Sequence, residues 1–495
     1  MVNKKKSRGK LKPLDEHSLP LFSIDDYFES VPAAGYRNGS SLNNAGDNGN
    51  YWSSTPNESN TQNAYNLNFN SSNHNVDWNN RNNGRSVRPV SELTMTSQQN
   101  DDFRHFSISG TQLFQDLYRA YKDARKNKRG KGYQLTFELE LEDNLARLRD
   151  ELLSGSYHPL TSTCFVIHDP KMREIFAADF RDRIVHHLFY NYTYKLFERT
   201  FIYDSYSCLV GRGTHFGISR LKHHIRSVSA GYSQPCYVLK VDIRGYFMSI
   251  NRNRLLDICS KTLDRMKRRE SDIEGLTWGE KLDYPFMHYL LRKIICFNPI
   301  ENCRMLGRKD DWNNLPTEKS LFSAPTDCGL PIGNLSSQLF SNIYLNELDQ
   351  YVKRELGCRH YGRYVDDAYI VDGNMDRLKS IVPLISNFLD SRLGLKINER
   401  KTRIYDARFG VEFLGAYVRP FRTYISNSSL KRISKKMTII PRNDVKSLQS
   451  SVNSCLGVMS HYDSYCIRKV LIYKSGLWKY GRFSNDLLRY KPFGK

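Results

Sequence analysis

The sequence predicts an α+β fold, and three observations carry the prediction. Apolar residues recur at helical spacing at Leu113, Leu117 and Tyr121, and again at Leu141, Leu145 and Leu148. Tyr237-Val-Leu-Lys-Val-Asp242 is an apolar run of strand length, and the chain turns directly after its terminal acid. Arg363-Tyr-Val-Asp-Asp-Ala-Tyr-Ile-Val371 sets two adjacent carboxylates at a turn between two apolar runs. At 495 residues the chain exceeds one uninterrupted core, so several domains are expected.

Residues 1–34 begin with a run of lysines at Lys4, Lys5 and Lys6 and read as a basic disordered tail. Residues 35–100 contain an Asn-rich tract whose low apolar content and many Gly and Ser residues predict disorder. Aromatics nevertheless stand at regular places in it, in Tyr51-Trp-Ser-Ser54 and Ala64-Tyr-Asn-Leu-Asn-Phe69, which plain linkers seldom show. From Phe103 to Leu153 the pattern is helical, broken by a basic loop containing Arg125, Lys126, Lys128 and Arg129. That loop is either a solvated surface or a set of phosphate contacts. Cys164-Phe-Val-Ile-His168, Asp169-Pro170 and Arg173-Glu-Ile-Phe-Ala177 read as strand, turn and returning strand. A long insertion with helical pieces lies between Asn251 and Cys328, and nothing in its sequence carries chemistry. Asp376 to Leu393 has a helical period. Residues 421–495 are basic and helix-prone, with Lys435-Lys436 and Trp478-Lys-Tyr480, a mixture that suits a nucleic-acid groove or an amphipathic bundle.

Three acids give this frame its chemistry. Two-metal phosphoryl transfer needs carboxylate oxygens converging on ions about 3.5–4 Å apart, one activating the attacking hydroxyl and one the leaving group. Asp242, Asp366 and Asp367 would supply them, with Asp366 the stricter ligand. Two Mg²⁺ ions suit such a set, because Mg²⁺ prefers hard oxygen ligands and shares substrate phosphates. Side chains alternate along a strand, so Asp366 and Asp367 serve together only if a turn breaks the alternation. The net charge of +22 favours a polyanionic partner. Ten cysteines show no Cys-x-x-Cys and no zinc-like His spacing, so reduced cytosolic thiols are expected. No apolar stretch approaches the ~20 residues that span a bilayer, and no signal-peptide core follows the first lysines, so a cytoplasmic protein without a membrane partner is expected.

Five segments resemble, in order and spacing, the motifs of reverse transcriptases. They are the Asp242 strand, Gly329-Leu-Pro-Ile-Gly-Asn-Leu-Ser-Ser-Gln338, Tyr364-Val-Asp-Asp367, Gly394-Leu-Lys-Ile-Asn-Glu-Arg-Lys-Thr402 and Glu412-Phe-Leu-Gly415. The resemblance covers about residues 105–420, and no endonuclease or RNase H signature accompanies it. It implies a right-hand polymerase with fingers and a ferredoxin-like palm over 101–420 and a short helical thumb over 421–495. It also implies template RNA and cDNA as partners, dNTPs as substrates, and catalysis by Asp242, Asp366 and Asp367 with Ile243 beside them at the metals. Lys401 would protonate the departing pyrophosphate, help worth roughly 10²–10⁴-fold. Lys171 and Arg173 would clamp the triphosphate. Phe247 would exclude a 2′-hydroxyl, and Gly333 and Gln338 would line the nucleotide site. Arg125, Lys126, Lys128, Arg129, Lys435 and Lys436 would touch RNA.

Within that superfamily the chain is similar to the reverse transcriptases of diversity-generating retroelements. Ile332 stands where relatives usually carry Gln, beside the templating base, and an aliphatic there removes hydrogen-bonding selection. The resemblance implies error-prone copying of a template repeat at adenines, and a pentameric accessory variability determinant as partner. Residues 35–90 resemble the carboxy-terminal end of lectin-like target proteins. An alternative origin is a template repeat translated in frame, since adenine-rich variable codons encode Asn, and Met95 is then a second candidate start. Two other functions fit the same sequence: a faithful group II intron-like or defence-associated reverse transcriptase, and a non-catalytic RNA-binding or ligand-display protein.

Overall fold

A computed structural model describes residues 106–126, 130–168, 171–267, 282–440 and 444–493, together with backbone strands between Tyr36 and Val87. The 1–34 tail, Lys128, Arg129, the turn at 169–170 and the end of the basic stretch at Arg268 and Arg269 lie outside the described residues. The chain divides into two units, Met1–Arg104 with Ser109–Asp116 and His105–Ile108 with Leu117–Lys495.

The first unit corrects one expectation. Disorder was expected over 35–100; residues 88–100 lie outside the described residues, yet six strands between Tyr36 and Val87 form one sheet. Its spatial order is Ser41–Asn43, Tyr36–Asn38, Gly84–Val87, Asn48–Pro56, Asn63–Asn70 and His74–Asn80. The reason lies in pattern rather than composition. Tyr65, Leu67 and Phe69 alternate with Asn66, Asn68 and Asn70 at the period of two that defines a strand. The register sets Tyr65 opposite Trp78 and Leu67 opposite Val76.

The second unit mixes helix and sheet around a four-stranded antiparallel sheet in the order Tyr361–Tyr364, Asp367–Asp372, Tyr237–Asp242 and Arg403–Asp406. Its strands are apolar on both faces because both faces are covered. Val238, Tyr369 and Val371 pack with Ile218, Leu221 and Ile225 of the Thr214–Val228 helix, and with Val411, Phe413 and Val418 of a neighbouring three-stranded sheet. Leu239, Val241, Ala368 and Ile370 alternate with them and are equally buried.

A second sheet joins Ser162–Ile167 and Arg173–Ala177 as an antiparallel pair. The insertion adds Cys303–Met305 parallel to the first of these strands. The Leu141–Leu153 helix buries Leu141, Leu145, Leu148 and Leu152, the stripe its periodicity predicts. At the carboxy-terminal end the helices Asn427–Ile439, Val445–Met459 and Tyr465–Ser475 close around Ile433, Met437, Val452, Leu456 and Leu471. Among the described residues no helix is long and apolar enough to cross a membrane.

Candidate active site

The two central strands pair so that Asp367 lies directly opposite Asp242. Tyr364 pairs with Asp367 on the other side, leaving Val365 and Asp366 as a two-residue turn. Val365 takes φ +54°, a left-handed conformation that β-branched residues rarely adopt and that persists only where the surroundings over-determine it. The turn breaks the strand alternation at the point the paired acids require, and Asp242, Asp366 and Asp367 come to one end of one sheet.

What over-determines the turn is a buried polar network. Arg363 and Asp349 are both 0% exposed and form a bidentate pair, Nε to Oδ1 at 2.7 Å and Nη2 to Oδ2 at 2.6 Å. The remaining Arg363 nitrogen, Nη1, donates to the Val365 carbonyl at 2.9 Å. The Val365 N–H donates to Ser207 Oγ at 3.2 Å, and that hydroxyl donates to Asn342 Oδ1 at 3.0 Å. Tyr361 completes Asp349 by donating to Oδ1 at 2.6 Å. Sequence reasoning missed this network. No local pattern signals it: Asp349 stands beside Glu347 and Gln350 and Arg363 near Arg359 and His360, so in the sequence both read as surface charges, although buried charges are almost always paired.

Lysines balance the acids. Lys401 Nζ donates to both oxygens of Asp242, at 3.0 and 3.3 Å, and Asn398 Nδ2 donates to Oδ2 at 3.1 Å. Lys240 Nζ stands 3.4 Å from Asp367. Burial pushes the Asp366 carboxyl above the usual range and the Asp242 charge adds to the rise, while Lys401 and Lys171 pull against it. Burial pushes Asp367 up to about 6, opposed first by Lys240. Among the described residues no three acidic, imidazole or thiolate groups are gathered about a single point, because Asp242 and Asp367 turn toward lysines. Backbone placement, oxygen chemistry and unfavourable crowding of charge in this set all fit divalent cations. Ile243 is buried beside Asp242 and bridges to Ile397, and its only donor to a metal would be its main-chain oxygen.

The predicted nucleotide residues divide. Phe247 and Ile332 meet in one apolar cluster with Phe176, Met248 and Leu321, and the Leu330 N–H donates to the Phe247 carbonyl at 2.8 Å. Gly333 has φ +135°, and a Cβ there would sit 2.8 Å from the Phe176 carbonyl, so the backbone passes close to the Arg173–Ala177 strand. Lys171 is exposed and its charge reaches Asp366. Arg173 and Gln338 are exposed.

The insertion also holds this region, which its sequence did not signal. Glu174, fully buried, accepts from Trp312 Nε1 at 2.8 Å, Ser320 Oγ at 3.0 Å and the Leu321 N–H at 2.6 Å. Of the predicted RNA contacts, Arg125 is paired with Glu138 and Lys126 with Asp123. Lys435 and Lys436 are exposed, Lys435 on the helix face opposite buried Ile433 and Met437 and Lys436 at the edge of the buried face.

A hairpin acid, a turn acid and a facing strand acid beside an exposed lysine suit nucleotidyl transfer. Residues 280–418 match the family described as reverse transcriptase (RNA-dependent DNA polymerase). Residues 24–90 match a domain of unknown function, DUF8237. The chain is 28% identical over 312 residues to Protein YkfC of Escherichia coli K12, covering 56% of this chain and 72% of that protein. It is 24% identical over 265 residues to a Saccharomyces cerevisiae protein named for intron 2 of COX1/OXI3, covering 46% of this chain and 30% of that protein. Among solved structures it is similar to the apo telomerase of Candida tropicalis, with 13% identity and a TM-score of 0.40 over 65% of this chain and 58% of that one.

Proposed function

We propose that the chain copies RNA into DNA by adding dNTPs to a primer 3′-hydroxyl, in a right-hand arrangement of fingers, palm and thumb. The observation that carries this reading is the register of Asp242 against Asp367 with Asp366 in the adjoining turn. Asp242, Asp366 and Asp367 would hold two Mg²⁺ ions. Bound there, the ions would lower the pKa of the attacking hydroxyl and offset charge on the departing pyrophosphate. The 3′-oxygen bonds to the α-phosphorus, the bond to pyrophosphate breaks, and the hydroxyl proton passes to solvent. Lys401, 65% exposed and movable from Asp242, donates a proton to the pyrophosphate oxygen. Lys171 and Arg173 hold the triphosphate from the fingers hairpin, and Phe247 packs against the sugar edge.

The copying is error-prone at template adenines and serves diversification of a target gene from a template-repeat RNA, with a pentameric accessory protein sharing the RNA. Supporting this is Ile332, which offers an apolar surface within the Phe247 cluster where a hydrogen-bonding amide would select more strongly. Primer extension on the flanking RNA with Mg²⁺ and the accessory protein, followed by sequencing of the cDNA, tests it. Errors concentrated at adenines support the proposal. Accurate cDNA moves the reading to a faithful enzyme, and equal yield from Asp366→Ala overturns the site.

A further inference from the structure

The last stretch of the chain carries a charge imbalance that catalysis leaves unused. From Tyr465 to Lys495 there are eight Lys and Arg residues against a single acid, Asp486. Gly481–Phe483 and Tyr490–Pro492 form a small antiparallel hairpin. On one face Phe483 and Tyr490 pack into the helical core, with ring centroids 4.8 Å apart. On the other, Arg482 lies directly opposite Lys491, and both are exposed.

Two like charges facing each other across strands are unfavourable unless something anionic lies between them. Beside them opens a groove of about 360 Å³, lined by Gln449, Asn453, Arg482, Phe483, Arg489 and Lys491. Rings stand exposed on the same carboxy-terminal segment: Tyr473 is 75% exposed, Trp478 48% and Phe493 48%. Lys479 sits 5.5 Å from the Trp478 ring and Arg482 5.9 Å from the Phe493 ring.

We infer that this groove is a second RNA-binding site, taking a single-stranded segment of the RNA outside the stretch being copied. The inference rests on the reading of the chain as an RNA-directed polymerase. The cations track phosphates and the exposed Phe493 ring beside Arg482 accepts a base by stacking, which favours single-stranded nucleic acid over an acidic protein surface. The groove lies within the size range of a small-ligand site, enough for a nucleotide but not for a duplex.

The test is binding of a stem-loop RNA with a single-stranded tail, by anisotropy across a salt series, to the full chain and to the Arg482→Gln, Arg489→Gln, Lys491→Gln variant. Three lost phosphate contacts flatten the logarithmic salt slope by about 2 and weaken binding roughly 50-fold near 0.15 M salt. Extension of a short RNA–DNA template-primer is expected unchanged, which also reports that the variant is folded. Lys491→Glu alone, a smaller change to the same face, should reproduce the loss in part. Unchanged binding and slope overturn the inference, and so does a parallel fall in short-duplex extension, which would assign the groove to the catalytic cleft. Wild-type binding that falls in the variants, in a protein that extends no primer, would overturn the polymerase reading and leave the groove standing.

Discussion

Asp349→Asn is the substitution that best separates what holds the catalytic turn from what it does. It leaves the Arg363 guanidinium, 0% exposed, facing a neutral amide that can accept on one atom only. Breaking a buried ion pair by removing one partner costs about 3–5 kcal/mol. At about 2 °C per kcal/mol for a large domain, thermal unfolding should come roughly 6–10 °C lower. Replacing the whole group by apolar residues is a different perturbation, since buried pairs exchanged for packed hydrophobics are often neutral in stability. Arg363→Met with Asp349→Leu and Tyr361→Phe should therefore recover most of the lost stability, because no charge or hydroxyl in the group is left unsatisfied. It should not recover activity: the Val365 carbonyl has lost its donor, the left-handed turn can relax, and a displacement of ~1 Å at the reacting groups costs about 10²-fold. Differential scanning calorimetry beside single-turnover primer extension reads both quantities. A triple variant that regains rate along with stability refutes a positioning role, and an Asp349→Asn protein as stable as wild type refutes the energetic reasoning.

Asp366→Asn should abolish primer extension while raising the metal-free melting temperature, because burial and the Asp242 charge make that carboxylate unfavourable in the folded protein; a lower melting temperature would contradict this. Ile332→Gln should reduce misincorporation at template adenines, by roughly tenfold for one added hydrogen-bonding selection, as counted by cDNA sequencing. His224 is buried, and burial pushes its pKa down to about 3, with Asp204 pulling the other way. The unfolded chain then takes up a proton near 6.5 that the folded one refuses, so stability falls as pH drops through 6.5 toward 3, by about 1.4 kcal/mol per unit. Between pH 7 and 5 the wild type should accordingly lose about 2 kcal/mol more than His224→Gln in urea unfolding, and equal losses would show that the histidine is already charged in the fold.

Local pattern made the acids legible. Asp366 and Asp367 lie between apolar runs, and Asp242 ends one, so two segments each shorter than a dozen residues pointed to one site. The residues that hold them there were not legible, because their partners are far along the chain: Ser207 meets Asn342, and Glu174 meets Trp312, Ser320 and Leu321. No periodicity encodes such pairs. The Asn-rich unit shows the opposite failure. Its period of two was present in Asn63–Asn70, but the polar composition outweighed it, since asparagine is depleted in strands on average.

Rigid and yielding parts of the site are built from different kinds of charge. The Arg363–Asp349 pair is dry and bidentate, so it fixes backbone and resists exchange for water or ions. Lys401 is 65% exposed and Lys240 20%; Lys401 reaches both oxygens of Asp242 and Lys240 one oxygen of Asp367, and both contacts are partly solvated. Exposed pairs contribute at most about 1 kcal/mol and weaken with salt. In the proposed reaction a divalent ion would therefore have little to displace at the Asp242 side, while the turn that sets the carboxylate spacing stayed in place. The same asymmetry would free Lys401 once Asp242 held an ion, returning its ammonium to the cleft at the stage when pyrophosphate would need a proton.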